Sequence, residues 1–133
     1  MRQTLQRRQF ERSQADLPVT YAITGIDGSH DGRLMSLSGG GVRISGAEDL
    51  VQGSEINLRF CLPGNQREIC TYGRIVMSFY EGATRRYSHG VAFTRIARSD
   101  QDAIVNHVDN VLLGNLRFLR AVDVKASGAT STL

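Results

Sequence analysis

From Leu17 onward polar and apolar positions alternate, with Val19, Tyr21 and Ile23 set against Thr20, Ala22 and Thr24. This is the period of a strand with one buried face. After the polar stretch GIDGSHDG the alternation resumes in RLMSLS, which predicts Met35 and Leu37 toward an interior and Ser36 and Ser38 away from it. Three glycines interrupt at 39–41, VRIS continues the pattern, and GAEDLVQG makes the next loop. In EINLRFCL the alternation is cleanest: Ile56, Leu58, Phe60 and Leu62 against Asn57, Arg59 and Cys61. A turn centred on Gly64 and Asn65 follows and predicts that Cys61 faces Glu68 and Cys70 faces Arg59. Ile69, Ile75, Met77 and Phe79 then share one parity, and RRYSHGVAFTRI follows a short Glu-Gly-Ala-Thr loop.

Past residue 98 the period lengthens. Ser99 stands in the position of an N-cap with Asp102 three residues later, and Ile104, Val108, Val111, Leu112 and Leu119 recur at helical spacing. Gly114 inside this segment costs about 1 kcal/mol relative to alanine. The apolar face is therefore expected to pack on the strands or on a second copy of the chain. Six or seven short strands joined by glycine-rich turns predict an all-β fold, a small antiparallel barrel with one C-terminal amphipathic helix. The expected organisation is a flexible arm over 1–16, a barrel over 17–98, a helix over 99–121 and a disordered tail over 122–133.

The length of 133 residues is that of one domain, and 41% hydrophobic with 22% charged residues is globular composition. The longest apolar runs fall well short of the roughly 18 residues of a membrane span. The arginine-rich start carries no apolar leader, so the protein is expected to be cytoplasmic. Cys61 and Cys70 are offset across their turn and are read as free thiols. No metal site is expected from two cysteines without a neighbouring histidine, or from His30, His89 and His107 in three separate segments. The net charge of +3 favours anionic partners, and its distribution is more telling. Arg2, Arg7, Arg8 and Arg12 stand against a single Glu11, and Arg85 and Arg86 form a second cluster.

Sequence signatures of catalysis are missing: there is no HExxH, GxSxG, CxxC or Walker-type loop. The glycine run in SLSGGGVRIS leads into alternating strand residues, whereas nucleotide loops of the P-loop and Rossmann kinds lead into a helix. The chain is read as non-catalytic. Ser36 and Ser38, two apart on a strand, present a small polar shelf on its outer face. Gly41 lacks a Cβ and would let a ligand approach the backbone closely. Arg7, Arg8 and Arg12 supply planar, permanently charged forks able to bind a phosphate, engage the O6/N7 edge of guanine or stack on a base.

An R-x-x-x-R segment, then a strand and a turn, then [DN]-x-S-x-x-G at the end of a second strand: this order resembles the PilZ domain family. The first motif is Arg8-Gln-Phe-Glu-Arg12, preceded by Arg7, and the second is Ser36-Leu-Ser38-Gly-Gly-Gly41. SHGVAF is similar to the Gly-x-x-Phe strand near the end of such domains. The resemblance covers roughly residues 5 to 97 and implies a receptor for the bacterial second messenger cyclic di-GMP, needing no cofactor besides that ligand. By position it implies Arg8 and Arg12 as principal grips, Ser36 and Ser38 as the polar contacts and Gly41 as the point of close approach. Arg7, adjoining the motif, implies a stacked pair of ligands per protomer. Where the family usually has aspartate or asparagine this chain has Ser36, whose hydroxyl cannot accept from both N1–H and N2–H of guanine. A bidentate base contact is worth about 1–3 kcal/mol, so affinity is expected to be roughly tenfold to a hundredfold lower than with the usual residue.

These readings lead to an adaptor in which the arginine arm closes over a dianion and the new surface signals to a protein partner of unknown identity. The alternative is a PilZ-like interaction module that binds no nucleotide. A nucleic-acid partner is not expected, because the strands lack evenly spaced exposed aromatics and Lys125 is the sole lysine. The chain is expected to act as a monomer or homodimer.

Overall fold

A computed structural model describes residues 10–64 and 66–127, with side chains along the last helix as far as Gly114. Strands β1 (Arg12–Ile23), β2 (His30–Ser38), β3 (Gly41–Gly46), β4 (Glu55–Cys61), β5 (Glu68–Glu81) and β6 (Arg86–Arg95) precede a single helix, α1 (Arg98–Ser127). All neighbouring pairs are antiparallel, and the sheet closes in the order β1-β2-β3-β6-β5-β4, with β4 returning to β1. Closure removes the free edges that an open sheet of this size would expose. The interior is filled by alternate residues of every strand, among them Val19, Leu37, Ile44, Leu58, Ile75 and Val91, all nearly inaccessible to solvent. The β4–β5 register pairs Cys61 with Glu68 and Arg59 with Cys70, as the turn spacing predicts, and both thiols are free and exposed.

Two bulges alter the expected parity. The β2–β3 register shifts between Leu34 and Ser36, so the core residues of β2 are Leu34 and Leu37, while Met35 is only half-buried. In β5 the register against β6 shifts between Ile75 and Met77. Ile69 and Ile75 point inward as expected, but Met77 and Phe79 are each 45% exposed. One inserted residue per strand turns the following side chains over, which the alternation of a single strand does not reveal. Strand β1 also begins at Arg12, five residues ahead of the predicted start at Leu17, and α1 runs six residues past the predicted end at Ala121.

Helix α1 lies across the barrel end where β2 turns into β3 and β4 into β5. Its buried Ile104 and Val108 join the same apolar cluster as the barrel interior. Gln101 donates to the carbonyl of Gly39 at 2.8 Å, and Arg67 donates to Asp100 at 2.9 Å and to Ser99 at 3.2 Å. Ser99 is therefore not the N-cap. The backbone N–H groups of Asp100 and Gln101 both donate to the carbonyl of Ala97, which starts the helix two residues earlier. His89 is fully buried and structural, bonded through its ring nitrogens to Ser78 at 2.8 Å and to the Glu48 carbonyl at 3.1 Å.

Buried Tyr21 donates to Glu48 at 2.7 Å, and His30 stands 3.3 Å from the other oxygen of that carboxylate. Burial, then the hydrogen bond to Glu48 and that residue's charge, push the phenol well above its ordinary value of 10.0. Because the folded state holds the proton more tightly, the stability tied to this hydroxyl is complete below pH 10.0 and is lost as pH rises beyond it. The expected result is that the urea midpoint of the wild type exceeds that of Tyr21→Phe at pH 8 and that the gap narrows by pH 11. An unchanged gap across that range would contradict the assignment.

Candidate functional site

The antiparallel hairpin β1–β2 brings the two sequence motifs together. Arg12 is the direct cross-strand partner of Ser38, and Gln14 that of Ser36. Opposed residues in such a pair hold their Cβ atoms about 5 Å apart, so the distance of 26 positions along the chain becomes a side-by-side contact. Around them lies a cavity of about 410 Å³, within the usual range of roughly 300–1,000 Å³ for small-molecule sites. Arg12, Ser36, Ser38 and Gly41 all line it. Arg7 and Arg8 fall outside the described residues, as do the rest of the expected arm up to residue 9 and the tail from residue 128.

Ser38 already has work inside the turn. Its hydroxyl accepts from the N–H of Gly40 at 3.1 Å and of Gly41 at 3.2 Å, and lies 3.3 Å from the Gly41 carbonyl to which it donates. These local bonds close the sharp reversal between β2 and β3. Gly41 likewise has a reason to be glycine that involves no ligand. A Cβ there would fall far inside contact with the carbonyl oxygen of Val91 and 3.1 Å from its carbonyl carbon, so the close packing of β6 by itself requires a glycine at this point of the cavity wall.

Several contributors escape a reading of the sequence alone. Phe10 packs its ring over the turn: Cβ atoms added at Gly39 and Gly40 would meet it at 2.7 and 3.2 Å, and at Gly39 also Val105 of α1 at 2.7 Å. The turn is thus held between Phe10 and the helix. Arg43, the cross-strand partner of Ser36 on β3, also lines the cavity. Val76 and Met77, 50% and 45% exposed beside the β5 bulge, give it an apolar wall. Arg43 could have been suspected from VRIS, since it alternates with the inward-facing Val42 and Ile44 two residues past the motif glycine. The wall could not, because it depends on the bulge.

Among the described residues two guanidinium groups and no carboxylate line this cavity. Positive charge on one side and apolar surface on the other suit a flat or anionic molecule. Among the described residues no group of three or more His, Cys, Asp or Glu side chains could hold a metal ion. Nor is any helix there long and apolar enough to cross a membrane.

The family model described as PilZ domain matches residues 6–110. No curated protein matches the chain in sequence. Among solved structures the chain is similar to the inhibitor of motility MotI/DgrA of Bacillus subtilis, with 24% identity and a TM-score of 0.72 over 82% of this chain and 53% of that one. It therefore spans about half the length of the Bacillus protein. It is similar also to the PilZ domain with c-di-GMP of YcgR from Escherichia coli, with 12% identity and a TM-score of 0.60 over 84% and 98% of the two chains. A third likeness is to the MrkH–c-di-GMP complex of K. pneumoniae, with 16% identity and a TM-score of 0.69 over 84% and 55%. At these identities the structures establish the shared barrel.

Proposed function

The chain belongs to the PilZ domain family, and from that premise we propose that it is a non-catalytic, cytoplasmic receptor for cyclic di-GMP that passes ligand occupancy to a protein partner. The observation that carries this reading is the cavity in which Arg12 and Ser38 meet across the β1–β2 hairpin, with Ser36 beside them and no carboxylate in its lining among the described residues. A cyclic dinucleotide matches it in kind, with phosphates for the guanidinium groups and a purine face for the apolar wall. The ligand seen in the YcgR and MrkH structures supports the same choice. Arg7 and Arg8 stand three and two residues before Phe10, whose ring is fixed on the turn.

In the working mechanism Arg8 and Arg12 neutralise the dianion, and Arg7 takes part in holding a second, stacked ligand. Phe10 links that event to α1, because the ring that follows the arginines touches the same Gly39 as Val105. A change at the arm is thereby transmitted to the helix, from which a partner can read it. The test is a calorimetric titration with cyclic di-GMP, with GTP and linear di-GMP as controls. Saturable binding selective for the cyclic dinucleotide, near two per protomer, is expected. Absence of heat together with absence of a thermal shift would overturn the receptor reading. It would favour the interaction module without nucleotide, for which Ser36 in place of a carboxylate is the supporting feature.

A further inference from the structure

Arg43 lines the cavity from β3, and it is not held as four other arginines of the chain are. Arg33, Arg59, Arg67 and Arg95 each have a carboxylate within 4 Å, in Asp16, Glu68, Asp100 and Glu55. Arg43 is half-buried and has, among the described residues, one bond of 3.4 Å to the hydroxyl of Ser88 and no ion pair. A permanently charged fork held at a partly desolvated position without a counter-charge is costly unless something else supplies acceptors. Its surroundings show where these would come from. One cross-strand neighbour is Ser36 on β2, and the other is Gly90 on β6, which has no side chain to fill the space beside it. Met77 lies over that glycine, its methyl and Cβ at 3.4 and 3.5 Å from where a Cβ would stand. The guanidinium therefore has an apolar shelf on one flank and a small, neutral hydroxyl on the other.

A carboxylate at position 36 would sit opposite Arg43 and compete for its fork. With serine there, the acceptors must belong to the ligand. We propose that Arg43 is the base-reading residue of the site, engaging the O6 and N7 acceptors of guanine while the ring rests on Met77 and Val76. The exocyclic 2-amino group then goes unread, because one hydroxyl cannot hold the N1–H and N2–H donors together. The site takes any purine with acceptors at positions 6 and 7, and rejects adenine, which turns an amino donor toward the same fork. This inference rests on the cyclic dinucleotide reading and specifies how that reading is achieved in a chain with Ser36.

The experiment compares three probes, cyclic di-GMP, cyclic di-IMP and cyclic di-AMP, on the wild type, Arg43→Ala and Arg43→Lys. Cyclic di-IMP keeps O6 and N7 and lacks only the 2-amino group. For the wild type the expected gap between cyclic di-GMP and cyclic di-IMP is less than about tenfold, the range of a single neutral hydrogen bond. Cyclic di-AMP is expected not to saturate. Arg43→Ala is expected to weaken cyclic di-GMP by about tenfold or more, and Arg43→Lys, which keeps the charge but loses the fork, by about tenfold as well. Thermal unfolding of both variants checks that the barrel is intact, and the lysine variant preserves the test should alanine disturb it. A gap of tenfold or more against cyclic di-IMP, or a smaller loss than tenfold in both variants, would overturn the role of Arg43 while leaving the receptor standing. Failure of the wild type to bind cyclic di-GMP would remove the receptor reading and this one with it.

Discussion

Gly41→Ala is expected to unfold the barrel in the absence of any ligand. The methyl group would collide with the Val91 carbonyl, and the atoms it meets are all backbone. A crowded side chain can change rotamer, but relief here requires β3 and β6 to part where Gly41 pairs with Ala92 and Val42 with Val91. That separation would break ladder hydrogen bonds and disturb the turn that Ser38 closes. A loss of about 4–5 kcal/mol or more is expected, at the upper end for single substitutions and comparable to the whole stability of a small domain. Gly40→Ala is the control, because the one tight contact of a Cβ there is with the Phe10 ring, at 3.2 Å, and an aromatic side chain can shift by a few tenths of an ångström. Circular dichroism melting of the ligand-free proteins decides the matter. A Tm for Gly41→Ala within about 5 °C of the wild type, equivalent to about 1 kcal/mol, would show that the glycine is not needed for strand approach.

This glycine marks the boundary between what could be read from the chain and what could not. Its presence in a motif was plain, whereas the close approach of the protein's own β6 to it could be seen only in the fold. Sequence alternation registers only whether a residue faces in or out, and it located the inward residues of β4 and the offset of Cys61 and Cys70 because that hairpin has no irregularity. It misplaced Met35, Met77 and Phe79 because a bulge is a property of two strands together, visible only once the partner's register is known. The N-cap failed for a similar reason. Ser99 had the right chemistry, but Arg67 from the β4–β5 connection engages its hydroxyl, and the helix takes Ala97 as its starting carbonyl. Arg12 and the two serines were recognisable as a group through the resemblance to the PilZ motifs, and the β1–β2 hairpin is what sets Arg12 beside Ser38. Arg43 was passed over because its importance comes from the charges it lacks around it.

Arg12→Ala is expected to weaken cyclic di-GMP by at least about tenfold without changing thermal stability. The side chain stands at the first position of β1, exposed, and lines the cavity beside its cross-strand partner Ser38. Among the described residues it has no ion pair, so its removal takes nothing from the fold that the ion pairs of the barrel supply. A charge-assisted contact to phosphate or base is worth about 1.5–3 kcal/mol, or roughly tenfold to 150-fold in affinity. Loss of one positive charge would also reduce long-range attraction for any dianion, and the two causes separate by comparison with Arg33→Ala. Arg33 carries the same charge on β2 but is committed to Asp16 at 2.8 Å, and it does not line the cavity. At 0.15 M salt, where exposed charges are screened beyond about 8 Å, Arg33→Ala should bind as the wild type does. Equal losses in the two variants would reduce the site to a diffuse positive field, and unchanged affinity in Arg12→Ala would remove the R-x-x-x-R segment from the binding surface. A loss confined to Arg12→Ala, matched by Arg8→Ala, would instead show that the arm and the β2–β3 turn bind the ligand as two faces of one site.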